Sequence, residues 1–390
     1  MFQGDTKITN DGGNVTVAHV LAAAREDAKL TDFGDEELLE PLAKLIECAA
    51  AEIRFSEAGF VNFKAMIQRF LVNRLRFVRD VKANPEILEE DVSDPIIILG
   101  MPRTGTTKLQ RLLSAAPEMQ KLSLWKLLNP APFDNEGRFG KEERLAFAKL
   151  VEDATRANPE FTTSHETAAD EADEDAHLAI MSFDYSPLYF VFPSPSYLEW
   201  TRKRPQKAAH NFVKKMLQYL QWQDGGRRGR RWVLKNPGSL GFLRALHETF
   251  PKALFIHSHR DMSEVVPSYC RLIEGMYQTL LEPIELHEHG RNALTYWGPE
   301  MARYHQERSA LGDAIDMIDV PYLEIVRDPM AVIHEIYRRA QTPFSKNAET
   351  AMQVWSDANK QHKHGKATYS LERYGLTREL IAERFPKDVN

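Results

Sequence analysis

The sequence predicts an α/β fold, a central parallel sheet flanked by helices, with a helical addition at the N-terminus. Three observations carry this. A helical period runs without a break from Val17 to about Asn84. Short continuous apolar runs follow, the first of them Ile96-Ile97-Ile98-Leu99 closed by Gly100. Beyond it, strand and helix signals alternate, and alternation of that kind builds a parallel sheet covered on both faces.

Residues 1–16 are polar and Gly-rich and are expected to be disordered. In the helical region of 17–90, Leu38, Leu39, Leu42, Leu45, Ile46 and Ala49 recur at steps of three and four, as do Phe63, Met66, Ile67, Phe70 and Leu71. Asn84-Pro85 ends that layer, and an α/β domain is expected over 91–390. Its first strand, Ile96–Leu99, reads as a buried parallel strand. A helix follows over Lys108–Ala115, with Pro117 after its end. The segment at about 130–223 reads as helices and loops inserted before the next strand. Trp232–Leu234 is that strand, then a helix from Leu240 to about Phe250. Ala253–His257 precedes a helix over Met262–Met276, and Ile315–Val320 precedes a helix over Pro329–Arg339.

Composition bounds the function. Of 390 residues, 43% are hydrophobic and 27% charged, which suits a soluble globular protein. The net charge of −6 provides no global field for nucleic acid or an anionic membrane, so an anionic ligand must be held by a local cluster. Cys48 and Cys270 are too few and too far apart for a disulfide framework or a zinc site. The polar N-terminus lacks the apolar core of a signal peptide, and no apolar run is long enough to span a bilayer. A cytoplasmic location is expected.

The most informative segment is Leu99-Gly100-Met101-Pro102-Arg103-Thr104-Gly105-Thr106-Thr107-Lys108. A buried strand enters a loop of small residues and a helix leaves it, so backbone N–H groups and the positive helix end aim at one point. Gly105 allows close approach, and the threonine hydroxyls add donors. The arrangement is P-loop-like and nucleotide-binding, with a difference. A nucleoside-triphosphate loop reads G-x-x-x-x-G-K-[ST], with a lysine for the β- and γ-phosphates. Here Thr106 takes the lysine's place and the charge sits earlier, on Arg103. That favours a 5′-phosphate bearing something other than a phosphate chain.

On these residues the chain resembles the sulfotransferases, specifically a bacterial branch with an added N-terminal helical region. Their donor loop, P-[RK]-[ST]-G-T-T, corresponds to Pro102–Thr107. The resemblance implies a transferase that uses 3′-phosphoadenosine 5′-phosphosulfate (PAPS) as co-substrate and needs no metal. It assigns Arg103, Thr104, Gly105, Thr106 and Thr107 to the 5′-phosphosulfate. The family pattern H-R-D-P-x-x-x-x-x-S is met by His259 to Ser268, except that Met262 replaces the proline. It assigns Arg260 and Ser268 to the 3′-phosphate, where a guanidinium fork and a hydroxyl suit a dianion. A third match, His362-Lys363-His364-Gly365-Lys366, is similar to the basic loop that closes over that phosphate and adds Lys363 and Lys366.

Catalysis needs charge on the leaving phosphate and a base for the acceptor hydroxyl. Arg103 and Lys235 are the expected charges. The base departs from the family. Where relatives carry K-S-P-x-H this chain reads Lys235-Asn236-Pro237-Gly238-Ser239, and where they carry W-E it reads Trp125-Lys126. The segment Ser164 to Asp175 resembles the family's H-P-x-x-A-D-x-P-E-E, so His165 is the expected base, with Glu166, Glu171 and Glu174 behind it. The acidic run itself reads as a solvated helix face, as the basic run Arg227–Arg231 reads as a solvated loop. The aromatic stretch from Phe183 to Trp200 is expected to be core, in part lining a pocket for a small, partly apolar hydroxyl acceptor. Two other readings stay open: a nucleotide kinase, and a non-catalytic ligand-binding descendant of the fold.

Overall fold

The computed structural model describes residues 15–134, 137–158, 162, 166–359 and 368–388. Five parallel strands form its sheet: β1 (Ile96–Leu99), β2 (Met119–Gln120), β3 (Arg231–Lys235), β4 (Leu254–His259) and β5 (Asp316–Pro321), in the order β2-β3-β1-β4-β5. Ile98 pairs with Lys235 on one side and Ile256 on the other, and His257 with Leu99. The register brings the C-terminal ends of β3, β1 and β4 to one edge, where the crevice of an open parallel sheet lies. β2 is the strand the sequence did not disclose, because two residues are too few to display a period.

Side chains alternate along β1, and the alternation divides the core. Ile96 and Ile98 pack with Leu109, Leu112 and Leu113 of α4 (Thr106–Ser114) and with Ile333 and Ile336 of Pro329–Arg339. Ile97 and Leu99 face the other layer, which is continuous with the N-terminal helices α1 (Val17–Ala28), α2 (Leu39–Glu52) and α3 (Glu57–Ala83). The aromatic stretch joins that layer: Phe183, Tyr185 and Tyr197 are fully buried. Phe192 stacks edge-on to Phe63 with ring centroids 4.8 Å apart.

Element boundaries moved where local chemistry overrode the period. β4 runs on to His259 and the following helix, α6 (Met262–Leu280), continues past Met276 with Pro267 inside it. The helix expected from Leu240 begins as a 3₁₀ turn over Pro237–Phe242 and becomes α-helical at Leu243–Thr249. Between β2 and β3 the inserted segment ends in α5 (Lys207–Gln223). The run Arg227–Arg231 is not simply solvated. Arg227 pairs with Asp94 at 2.6 Å, and Arg231 donates to the Asp94 and Ala340 carbonyls at 2.7 and 2.9 Å, strapping the start of β3 to its neighbours. Both cysteines are free and buried. Among the described residues, no helix is long and apolar enough to cross a membrane.

Candidate active site

The loop after β1 is shaped by backbone conformations that few side chains tolerate. Arg103 has φ +77° and Gly105 φ +88°, the latter at the N-cap of α4. A Cβ at Gly105 would stand 3.1 Å from the Tyr322 ring. Thr104 closes the turn by donating its hydroxyl to the Met101 carbonyl at 2.8 Å, and Ser258 at the end of β4 donates to the Thr104 carbonyl. The first intrahelical bond of α4 runs from Leu109 to Gly105. The N–H groups of Thr106 and Thr107 therefore point off the helix start, where an anion is stabilised.

Arg103 then reaches across to α6. Its Nε donates to the Ser268 hydroxyl at 3.1 Å, joining residues 165 positions apart. Arg260, the first residue after β4, donates to the Arg103 carbonyl at 3.4 Å and lies over the Tyr322 ring, 4.4 Å from its centroid. Burial, reinforced by the Arg260 charge, lowers the Arg103 pKa, while the Tyr369 and Tyr322 hydroxyls act the other way. Two guanidinium groups thus share one place at the sheet's C-terminal edge. Glu264, one turn into α6, partners Arg260 with its carboxylate at 2.7 Å from Nε. Lys363 and Lys366 lie outside the described residues. Tyr369, just after them, acts electrostatically on both Arg103 and Arg260, so the chain returns to this cluster there.

Lys235 is placed differently from expectation. Its ammonium does not overhang an open crevice. The side chain is only 1% exposed, and Nζ donates to the Glu174 carboxylate at 2.5 Å. The acidic run is accordingly not a solvated face. Asp173 and Asp175 are buried, Asp175 N–H donates to the Lys235 carbonyl at 3.3 Å, and Asn236 donates to the Asp175 carboxylate at 3.2 Å. Two adjacent dipeptides, Glu174-Asp175 and Lys235-Asn236, are therefore held side by side. Burial pushes the Asp175 carboxyl up to about 6. Glu166 instead braces Arg111 of α4 at 3.1 Å.

His165 falls outside the described residues. Two other histidines stand near this second centre, the paired Glu174-Asp175 and Lys235-Asn236, and pattern reading had no signal for either. His177 lies one turn beyond Glu174, and burial lowers its pKa against the opposing pull of Asp173 and Glu174. His210, on α5, is bonded to Ser239, which sits where relatives carry a histidine. Its Nδ1–H donates to the Gln206 carbonyl at 2.8 Å, which leaves Nε2 to accept from the Ser239 hydroxyl at 3.2 Å. Tyr185 donates to the same hydroxyl at 2.8 Å, and burial pushes His210 down to about 4. The imidazole is sealed in and holds the 3₁₀ turn after β3. Lys126, at the place of the family's glutamate, is buried and paired with Asp224. No group of three or more metal-ligating side chains suited to an ion is found among the described residues.

The sulfotransferase family model matches residues 95–346, from the first strand through the helix after β5. Omega-hydroxy-beta-dihydromenaquinone-9 sulfotransferase Stf3 of Mycobacterium bovis is 26% identical over 268 residues, 65% of this chain. Its Mycobacterium tuberculosis counterpart matches equally, and the chain spans 64% of the length of each. The solved structure of sulfotransferase STF1 from Mycobacterium tuberculosis H37Rv is 28% identical with a TM-score of 0.82, covering 95% of this chain and 98% of that one. STF9 from Mycobacterium avium is 25% identical with a TM-score of 0.84, covering 98% and 99%. With the match spanning the whole sheet and both loops that end in Arg103 and Arg260, the chain belongs to the sulfotransferase family.

Proposed function

We propose that the protein transfers the sulfuryl group of PAPS to a hydroxyl of a small, partly apolar acceptor. The observation that carries this is the Arg103–Ser268 bond with Arg260 beside it, which unites the 5′- and 3′-phosphate motifs in one crevice. In this reading the loop from Arg103 to Thr107 binds the 5′-phosphosulfate, Arg260 and Ser268 bind the 3′-phosphate, and Lys363 and Lys366 close over it. The acceptor oxygen forms a bond to sulfur as the bond from sulfur to the 5′-phosphate oxygen breaks. Arg103 offsets the charge that grows on the departing bisphosphate, while Lys235, buried against Glu174, positions that carboxylate. The acceptor proton passes to a base. Glu174 is favoured because its carboxylate is held against Lys235 and is still partly exposed, whereas His165 rests on the sequence alone. The relative Stf3 is named for a hydroxylated dihydromenaquinone, which supports an apolar alcohol as acceptor class here.

The test is direct. Adenosine 3′,5′-bisphosphate is expected to bind without magnesium and to raise the melting temperature, as a ligand of the folded state must. Purified protein with PAPS is expected to sulfate members of a panel of apolar alcohols. A strict magnesium requirement with ATP binding would instead indicate a kinase, and donor binding without transfer to any alcohol would indicate a binding protein.

A further inference from the structure

A groove runs along helix α3, with Asp27 of α1 among its lining residues. Its apolar wall is Met66 and Val72 of α3, Phe147 and Val151 of the inserted segment, Val191, and Leu280 at the end of α6. The space is about 710 Å³, within the range of small-molecule sites. Polar side chains line it too, Arg69, Arg76 and Asn129 among them, together with Asp27, which accepts from Gln68 at 3.0 Å. Arg76 and Asn129 are 7% and 3% exposed, and Arg76 Nε and Asn129 Nδ2 find no partner among the described residues. The orientation of Asn129 is set, since its Oδ1 already accepts from Asn73 at 3.1 Å. Arg69 donates to the Leu128 carbonyl and has no carboxylate within salt-bridge reach among the described residues. Burial brings its pKa down to about 10, so it remains a cation at neutral pH.

Buried donors without acceptors cost free energy, and a groove that sets two of them beside the Arg69 cation in an apolar wall is matched to a ligand that brings the acceptor. The groove also backs onto the second centre. Leu128 ends the short helix Leu124–Leu128, which packs against the helix Ala176–Ala179 that carries His177. His177 in turn interacts electrostatically with Arg69 as well as with Glu174 and Lys235.

We propose that this groove holds the body of the acceptor: an apolar chain or ring carrying a carbonyl-type oxygen, with the apolar part on α3 and Val151 and the oxygen on Arg69, Arg76 and Asn129. The assignment rests on the transferase reading for its role, though not for the binding itself.

The probe is the methyl ester of ω-hydroxydodecanoic acid, compared by calorimetry with dodecanol on the full chain. The wild type is expected to bind the ester roughly ten- to a hundredfold more tightly than the alcohol, the share of a hydrogen bond to charged groups. Arg69→Met removes that preference and leaves dodecanol binding in place. Val151→Trp fills the groove and weakens both ligands roughly tenfold or more, and Phe147→Glu, which places a charge on the same wall, does likewise. Adenosine 3′,5′-bisphosphate affinity, measured on every variant, stays at the wild-type value and reports that each is folded. Unchanged ester binding in both Val151→Trp and Phe147→Glu overturns the groove, as does equal affinity for ester and dodecanol in the wild type. Ester binding that responds as described, in a protein that binds no bisphosphate, overturns the transferase role while leaving the groove as a ligand site.

Discussion

Arg260 serves two partners, and that duality makes its contribution measurable. It holds the Arg103 carbonyl and is itself balanced by Glu264. In the proposed function an incoming 3′-phosphate takes over from that carboxylate, so Arg260→Ala is expected to weaken adenosine 3′,5′-bisphosphate by about 1.5–3 kcal/mol. Adenosine 5′-phosphate, which lacks the 3′ group, should lose little. Equal losses for both ligands in calorimetry would place Arg260 elsewhere in the site. Glu174 invites a similar comparison. If its carboxylate takes the acceptor proton, Glu174→Gln loses roughly 10²–10⁴-fold in turnover with donor affinity nearly intact. His165→Ala then keeps most of its activity. The reverse pattern in single-turnover assays would return the base to His165.

At the scale of elements, the join between α3 and α6 matters most. Ser56 caps α3, its Oγ accepting from Gly59 N–H at 2.9 Å, while its own N–H donates to the Leu280 carbonyl at 3.1 Å. Phe55 and Leu281 form a bridge beside it. Gly59 permits the approach, since a Cβ there would fall 1.7 Å from the Leu280 carbonyl oxygen, a backbone atom that cannot turn aside. Gly59→Ala must therefore push the end of α6 away from α3, at a cost of about 1–3 kcal/mol. Because Leu280 lines the groove, the same variant should also bind the groove ligand less well. Denaturant unfolding alongside the ligand titration checks both. Wild-type stability would mean that the two helices are not held this closely.

Across the whole molecule, the buried Asp175 couples the second centre to stability. Its carboxyl is raised from 3.8 to about 6 by burial, with one oxygen unpartnered among the described residues. The folded protein thus binds a proton that the unfolded chain has released between about pH 4 and pH 6. Folding stability from this group is present below that window and falls as pH rises through it. Asp175→Asn removes the titration and keeps an oxygen to accept from Asn236. It is expected to flatten the stability profile between pH 4 and 6.5 and to leave the variant more stable at pH 7.5, by roughly 1–3 kcal/mol. A wild-type profile retained in the variant would remove Asp175 as the source.

The sequence by itself determined the α/β class, the strand Ile96–Leu99 and the P-loop-like turn, because a short buried strand, a small-residue loop and a helix start are local and leave a local pattern. It also carried the Arg260–Ser268 motif, which runs from the end of β4 into the first two turns of α6. The two-residue strand β2 left no period to read. The acidic segment reads as a solvated face from charge alone, since nothing in its own sequence reveals that Lys235, 61 positions away, supplies the counter-charge. For the same reason the Ser239–His210 bond, the isolated cation Arg69 and the groove beside α3 were invisible. Each depends on groups distant in sequence whose meeting only tertiary packing sets, and burial then decides what those groups can do: it makes the pairing obligatory, moves the pKa values and leaves donors waiting for a ligand.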